Sequence, residues 1–233
     1  FSATGDEKYL AHAERTFRQV QSGEHPDGGL YWFEQDKSGR HTCSVAPAAQ
    51  LAMGLYEATG SERYLEFAKE QAAWLNTHLR LENHLYGDNL KNNGKVDPTL
   101  YSYNQGTPIG LDVQLYRATG EQRYLARAQQ TADAALEHFS GDRLWKQPPA
   151  FNAIFFRNLL ALEAVSPQPR YLQAVDAYLD RAWDEGRSPK TGLFNDGGIG
   201  HYGDRPGTAL DQGGLSQLYA ARALPRSERA TLT

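Results

Sequence analysis

The sequence predicts an all-α protein, an (α/α)6 toroid of helical hairpins that is incomplete at its N-terminus, and three observations lead there. A phrase recurs as "ATGDEKYL" (3–10), "ATGSERYL" (58–65) and "ATGEQRYL" (118–125), with a degenerate copy "SPQPRYL" (166–172). A second beat follows each copy: "GLYW" (29–32), "HLYG" (84–87), "RLWK" (143–146) and "GLFN" (192–195), whose aromatics Tyr31, Tyr86, Trp145 and Phe194 trail the phrase's Tyr by 22, 22, 21 and 23 residues. The helices on the two sides of the phrase differ in kind, and a helix apolar all round is buried whereas a striped one faces water.

The elements follow in order. Helices before the phrase are nearly uncharged: "CSVAPAAQLAMGLY" (43–56) carries no charge, "TPIGLDVQLY" (107–116) only Asp112, and "FNAIFFRNLLALEAV" (151–165) only Arg157 and Glu163. These form an inner ring, with heads near 43, 105, 151 and 208. Helices after the phrase, beginning near 6, 62, 121 and 170, are amphipathic, as in "ERYLEFAKEQAAWL" (62–75), and form an outer ring. The Gly of "TG" suits the left-handed turn that ends one helix, and Asp6 and Ser61 suit the cap that starts the next. A turn this short makes the two helices antiparallel neighbours.

Segments 18–42, 77–103, 138–150 and 185–208 join each outer helix to the next inner one and all lie on the face where inner helices begin. The second beats within them are expected as short extended pieces, mostly plugs of the rim, with a minority free to stack on a ligand. Inner-helix N-termini present unpaired N–H groups and positive dipole ends on that face. A single domain over 1–224 with a tail at 225–233 is expected. Six hairpins of this size need roughly 300–360 residues. The first outer helix, with Tyr9, Leu10, Ala13 and Phe17 on its apolar stripe, is therefore expected to lack an inner partner within these residues.

Composition bounds the function. The chain has 233 residues, 22% charged, and a net charge of −4, with no Lys/Arg run, so no nucleic-acid partner is expected. No apolar run reaches the roughly 18 residues of a membrane span. Cys43 is alone, which excludes an intrachain disulfide, and is expected as a buried small residue. The seven His are scattered without metal-ligand spacing, so no metal or other cofactor is expected. Residue 1 is Phe and the sole Met is Met53, so the initiator is expected to lie upstream, and the missing signal peptide says nothing about export.

The run "YSYNQGTPIGLDVQLYRATGEQRYLARA" (101–128), with "GGLYWF", "LYGDNL", "FNAIFFRNLLALEAV", "GLFNDGG" and "ALDQGGLSQLYAARAL" in the same order, resembles glycoside hydrolase family 76, the α-1,6-mannanases. The likeness covers essentially the whole chain. It implies hydrolysis of α-1,6-linked mannose polymers with retention, through two adjacent aspartates at the head of an inner helix. It also tilts the setting towards a secreted or cell-surface protein, with a cytoplasmic one still open. Retention requires two carboxyls about 5–5.5 Å apart in different protonation states. The sequence has no Asp-Asp pair. Its adjacent carboxylates, Asp6-Glu7 and Asp184-Glu185, read as solvated helix-end charges. The family's pair precedes the first phrase, so the dyad is expected upstream of residue 1, and this chain alone is expected to be inactive.

What the chain offers is a wall for a mannose-containing oligo- or polysaccharide. Tyr103, Asn104 and Gln105 stand at a helix head with both donors and acceptors for hydroxyls; the alternative is that Asn104 caps the helix and Gly106 permits close packing. Asp211 and Gln212 hold the corresponding place in the last unit. Asn152, Tyr31, Trp32 and Asp88, together with Asp196, complete the candidates, although Asp88 and Asp196 also suit turn formation. Asp112, inside an apolar helix, needs a partner if buried. Other readings are a non-catalytic glycan-binding toroid, a transglycosidase, or a sugar epimerase of similar architecture. An epimerase would want cavity histidines, which no inner helix carries.

Overall fold

A computed structural model of the chain describes residues 1, 4–195 and 207–233. The fold is all-α, of the α/α-toroid class. The helices are α1 (Glu7–Gln21), α2 (Thr42–Thr59), α3 (Glu62–His78), α4 (Ser102–Thr119), α5 (Gln122–His138), α6 (Pro149–Val165), α7 (Pro169–Asp184), α8 (Ala209–Ala223) and the short α9 (Arg226–Arg229). The chain divides into two compact units, one of Phe1–Leu100 with Leu111–Arg127, the other of Tyr101–Gly110 with Ala128–Thr233. The stretch 225–233 holds α9, whose Arg229 is buried 3.3 Å from Glu163.

The contrast in helix chemistry becomes a contrast in burial. Helix α6 buries residues on every side, from Pro149 to Glu163, whereas α1 buries only Phe17. Phe17 is covered by the edges of Tyr64 and Phe67, each at 5.0 Å, so α3 closes part of the stripe on α1, while Tyr9 stays exposed.

The recurring phrase has a job for nearly every letter. Gly60 and Gly120 take φ of 67° and 71° and each donates its N–H to the Tyr four residues earlier. The Thr hydroxyl before the Gly accepts the N–H two residues on, at 3.2 Å in all three copies: Thr4 from Asp6, Thr59 from Ser61, Thr119 from Glu121. Asp6 caps α1 through Lys8 N–H. Ser61, expected as a cap, makes no side-chain cap bond. The Arg-Tyr pair then grips the preceding outer helix. Tyr64 donates to Glu14 at 3.1 Å and Tyr171 to Asp133 at 3.0 Å, each under its neighbouring guanidinium.

Three of the four second beats are extended, in the bridges Tyr31–Arg40, Arg80–Tyr86 and Arg187–Phe194. The third, Leu144–Lys146, is instead a 3-10 turn. Only ten residues separate α5 from α6 there, ending in Pro148-Pro149, which leaves no length for a returning strand. In the first unit, β1 (Gly39–His41), β2 (Asn89–Lys91) and β3 (Val96–Asp97) form an antiparallel sheet that pairs His41 with Asn89 and Asn89 with Asp97. That sheet sets the head of α2.

Candidate functional site

The first unit gathers a site around Trp32. The indole is 55% exposed, with the Phe33 ring at 4.1 Å and the His41 ring at 5.4 Å. His41 is the N-cap residue of α2, and its Nδ1 lies 3.8 Å from an Asp88 carboxylate oxygen that accepts from Asn89 at 3.0 Å. One cleft of about 490 Å³ is lined by Trp32, Asp36, His41, Asn89 and Lys91. A second, of about 710 Å³, is lined by Trp32 with Tyr31, Lys37 and the first turns of α2. Tyr31 and Trp32 thus share one wall, and Asp88 steers the imidazole beside it. An exposed indole ringed by hydroxyl-binding groups has the chemistry for stacking a pyranose ring and ordering its hydroxyls.

Two corrections arise here. His41 was not among the sequence candidates, since it precedes the inner helix instead of lying in it; its place directly before the uncharged run was the available signal. Cys43, expected as a buried small residue, is partly exposed and lines the larger cleft, because the head of α2 turns towards the 31–37 loop.

Burial holds the His41 imidazole below its ordinary value, against the opposing pull of Asp88, Asp36 and Asp97. The unfolded chain therefore binds the proton first as pH falls, so this contribution to stability is complete above about pH 6.5 and is lost on acidification below it. The melting temperature should drop between about pH 7.5 and pH 5.5. His41→Gln should flatten that drop in part, leaving the share of His138, which burial also lowers.

In the second unit the aromatic head of α4 stands against α6. Tyr101 and Tyr103 stack at 5.5 Å, and Phe151 meets Tyr103 edge-on at 4.3 Å. Tyr103 is partly exposed, but Asn104 and Gln105 are fully buried. Gln105 donates to the Tyr101 carbonyl at 3.0 Å. Asn104 lies inside the first turn of the helix and not at its cap. Gly106 does permit close packing: a Cβ there would sit 2.6 Å from the Phe155 Cα.

The other helix-head residues of this unit fasten backbone. Asn152 donates to the Leu144 carbonyl at 2.8 Å and to the Tyr178 hydroxyl at 3.2 Å, holding the third beat. Gln212 brackets Phe194, accepting its N–H at 3.0 Å and donating to its carbonyl at 2.5 Å. Asp211 completes a capping box with Thr208 and accepts the Ala150 N–H at 3.2 Å, tying α8 to the head of α6. Gln105, Asn152 and Gln212 each occupy the fourth residue of an inner helix. Asp196 lies outside the described residues.

Among the described residues no group of three or more His, Cys, Asp or Glu is placed to hold a metal ion, and no helix is long and apolar enough to cross a membrane. The Glyco_hydro_76 model, glycosyl hydrolase family 76, matches residues 1–192. The chain belongs to that family. It is 27% identical to a family 76 mannosidase from Bacteroides thetaiotaomicron, covering 94% of this chain and 65% of that one with a TM-score of 0.81. A second family 76 hydrolase, from a bovine strain of the same species, is 28% identical over 92% of this chain and 51% of its own, with a TM-score of 0.82. The chain thus spans less than two thirds of the length of these relatives. The α-1,6-mannanase GH76A of Salegentibacter is 25% identical over all of this chain and 72% of its own, with a TM-score of 0.78. An inactive variant of that mannanase, with two adjacent aspartates replaced, is solved with α-1,6-mannotetraose. No curated protein sequence matches the chain.

Proposed function

We propose that the chain is the glycan-binding part of a retaining hydrolase of α-1,6-linked mannose polymers. The observation that carries this reading is the exposed Trp32 face with His41, Asp36 and Asn89 along one cleft, in a chain of family 76. Trp32 stacks on a mannose ring. Asn89 and Asp36 take its hydroxyls, and His41, neutral near pH 7, either donates or accepts. In the second unit, taken by itself, Tyr103 is the partly exposed aromatic open to a sugar ring. Asn104, Gln105, Asn152, Asp211 and Gln212 act behind the surface, by fixing the loops and helix heads that bear the aromatics.

The chemistry is double displacement. One aspartate attacks the anomeric carbon while the other protonates the leaving oxygen; water then releases the sugar, with the second residue now acting as base. These 233 residues contain no adjacent aspartates, and on this reading the pair is supplied by chain outside them. The 233-residue chain should therefore release no reducing ends from α-1,6-mannan, and a chain extended upstream to include an adjacent aspartate pair should release them. Turnover by the 233 residues alone would overturn this placement of the catalytic groups. Glycan binding without catalysis is the second reading, in which the Trp32 cleft engages the glycan and no aspartate pair is supplied.

A further inference from the structure

The first unit holds another polar pocket, of about 470 Å³, between the 24–28 loop and the second half of α3, lined by Glu24, His25, Pro26, Glu70, Gln71 and Trp74 together with Gly28. None of Trp32, His41 or Asp88 lines it. Gln71 is 1% exposed and Trp74 7%. The Gln71 amide nitrogen donates to Glu24 at 2.6 Å, which fixes the orientation of the side chain. Its oxygen, and the Trp74 indole N–H, find no hydrogen-bond partner among the described residues. The indole is itself held in place. Arg40 lies over its ring at 5.0 Å while donating to the Gly28 carbonyl at 2.9 Å, and the His78 ring sits at 4.9 Å.

A buried donor and a buried acceptor left unmet each destabilise the fold, and the pair defines what would satisfy them. The indole N–H needs an acceptor and the amide oxygen needs a donor. An anion serves the first but is repelled by Glu24 and Glu70. An ammonium group or metal ion serves the second but offers the indole nothing. A hydroxyl does both, and a neighbouring hydroxyl can donate to Glu24. From this chemistry we propose that the pocket is a second carbohydrate site, taking a pyranose through vicinal hydroxyls, apart from the Trp32 clefts. It holds independently of the hydrolase reading.

The test is a nitrogen-15 NMR titration of the 233-residue chain, which has four indole N–H groups, with methyl α-mannoside and α-1,6-mannobiose. The Trp74 resonance is identified by its loss in Trp74→Phe. It should move saturably on adding sugar and should do so unchanged in Trp32→Ala. Gln71→Leu should weaken that response about tenfold or more. Should Gln71→Leu misfold, Glu24→Gln, at the pocket's edge, should weaken it in the same direction. A Trp74 resonance that stays still while the Trp32 signal moves would overturn the proposal, meaning the pocket holds only water. Movement that vanishes in Trp32→Ala, or that follows ethylammonium or calcium but not sugar, would also overturn it. Failure of the Trp32 response alone would strike at the proposed function and leave this site standing.

Discussion

Replacing Arg127 by Met is expected to lower the unfolding free energy by about 3–5 kcal/mol. Asp112 is the eleventh residue of α4, with its side chain 3% exposed, and the Arg127 guanidinium holds both carboxylate oxygens, one of them at 2.7 Å. Burial pushes the Asp112 carboxyl upward, against the pull of Arg127. Removing the guanidinium leaves a buried carboxylate in an apolar helix without its hydrogen-bond partner, with only the field of Arg80 still opposing its burial. Removing both charges, as in Asp112→Leu with Arg127→Met, should recover most of the loss, since a buried ion pair is often no better than apolar packing of similar volume. Urea unfolding of the two single variants and the double variant checks this, with a midpoint fall of roughly 1–2 M for Arg127→Met. A single-variant loss below about 1 kcal/mol would show that the pair is solvated.

Gly106→Ala should cost about 1–3 kcal/mol. The added Cβ would meet the Phe155 Cα at 2.6 Å and the Ile154 carbonyl at 3.0 Å. These are backbone atoms, so the head of α4 must lift from α6 instead of a rotamer giving way. Tyr103 rides on the same turn, packed on Phe151, so the substitution should disturb the Tyr103 face as well as stability. Thermal unfolding measures the first effect, and tyrosine fluorescence of the folded variant the second. Wild-type stability in Gly106→Ala would mean that the two helices are not in close contact.

Both features bear on how much the sequence could tell. The hairpins were legible because the phrase repeats in phase with the change of helix chemistry, and α1 to α8 begin close to where that reading put them. The partner of Asp112 was legible too. In an antiparallel hairpin, residues nearly equidistant from the turn face each other; Asp112 stands eight residues before Gly120 and Arg127 seven after it. The roles of Asn152, Gln212 and Asp211 were not legible, for a chemical reason. An amide or carboxylate at a helix head satisfies a backbone N–H or carbonyl by the same bonds it would offer to a sugar hydroxyl. Which of the two it meets depends on how closely the loop returns. In the short segment before α6 the 3-10 turn brings the Leu144 carbonyl within reach of Asn152.

The most direct test of the account is calorimetric titration of the 233-residue chain with α-1,6-mannotetraose, with maltotetraose as the control glycan and Trp32→Ala as the control protein. Saturable binding of the mannose chain is expected, at least about tenfold weaker for maltotetraose and weaker by a similar factor in Trp32→Ala. Equal affinity for both glycans, or mannotetraose affinity unchanged in Trp32→Ala, would contradict it.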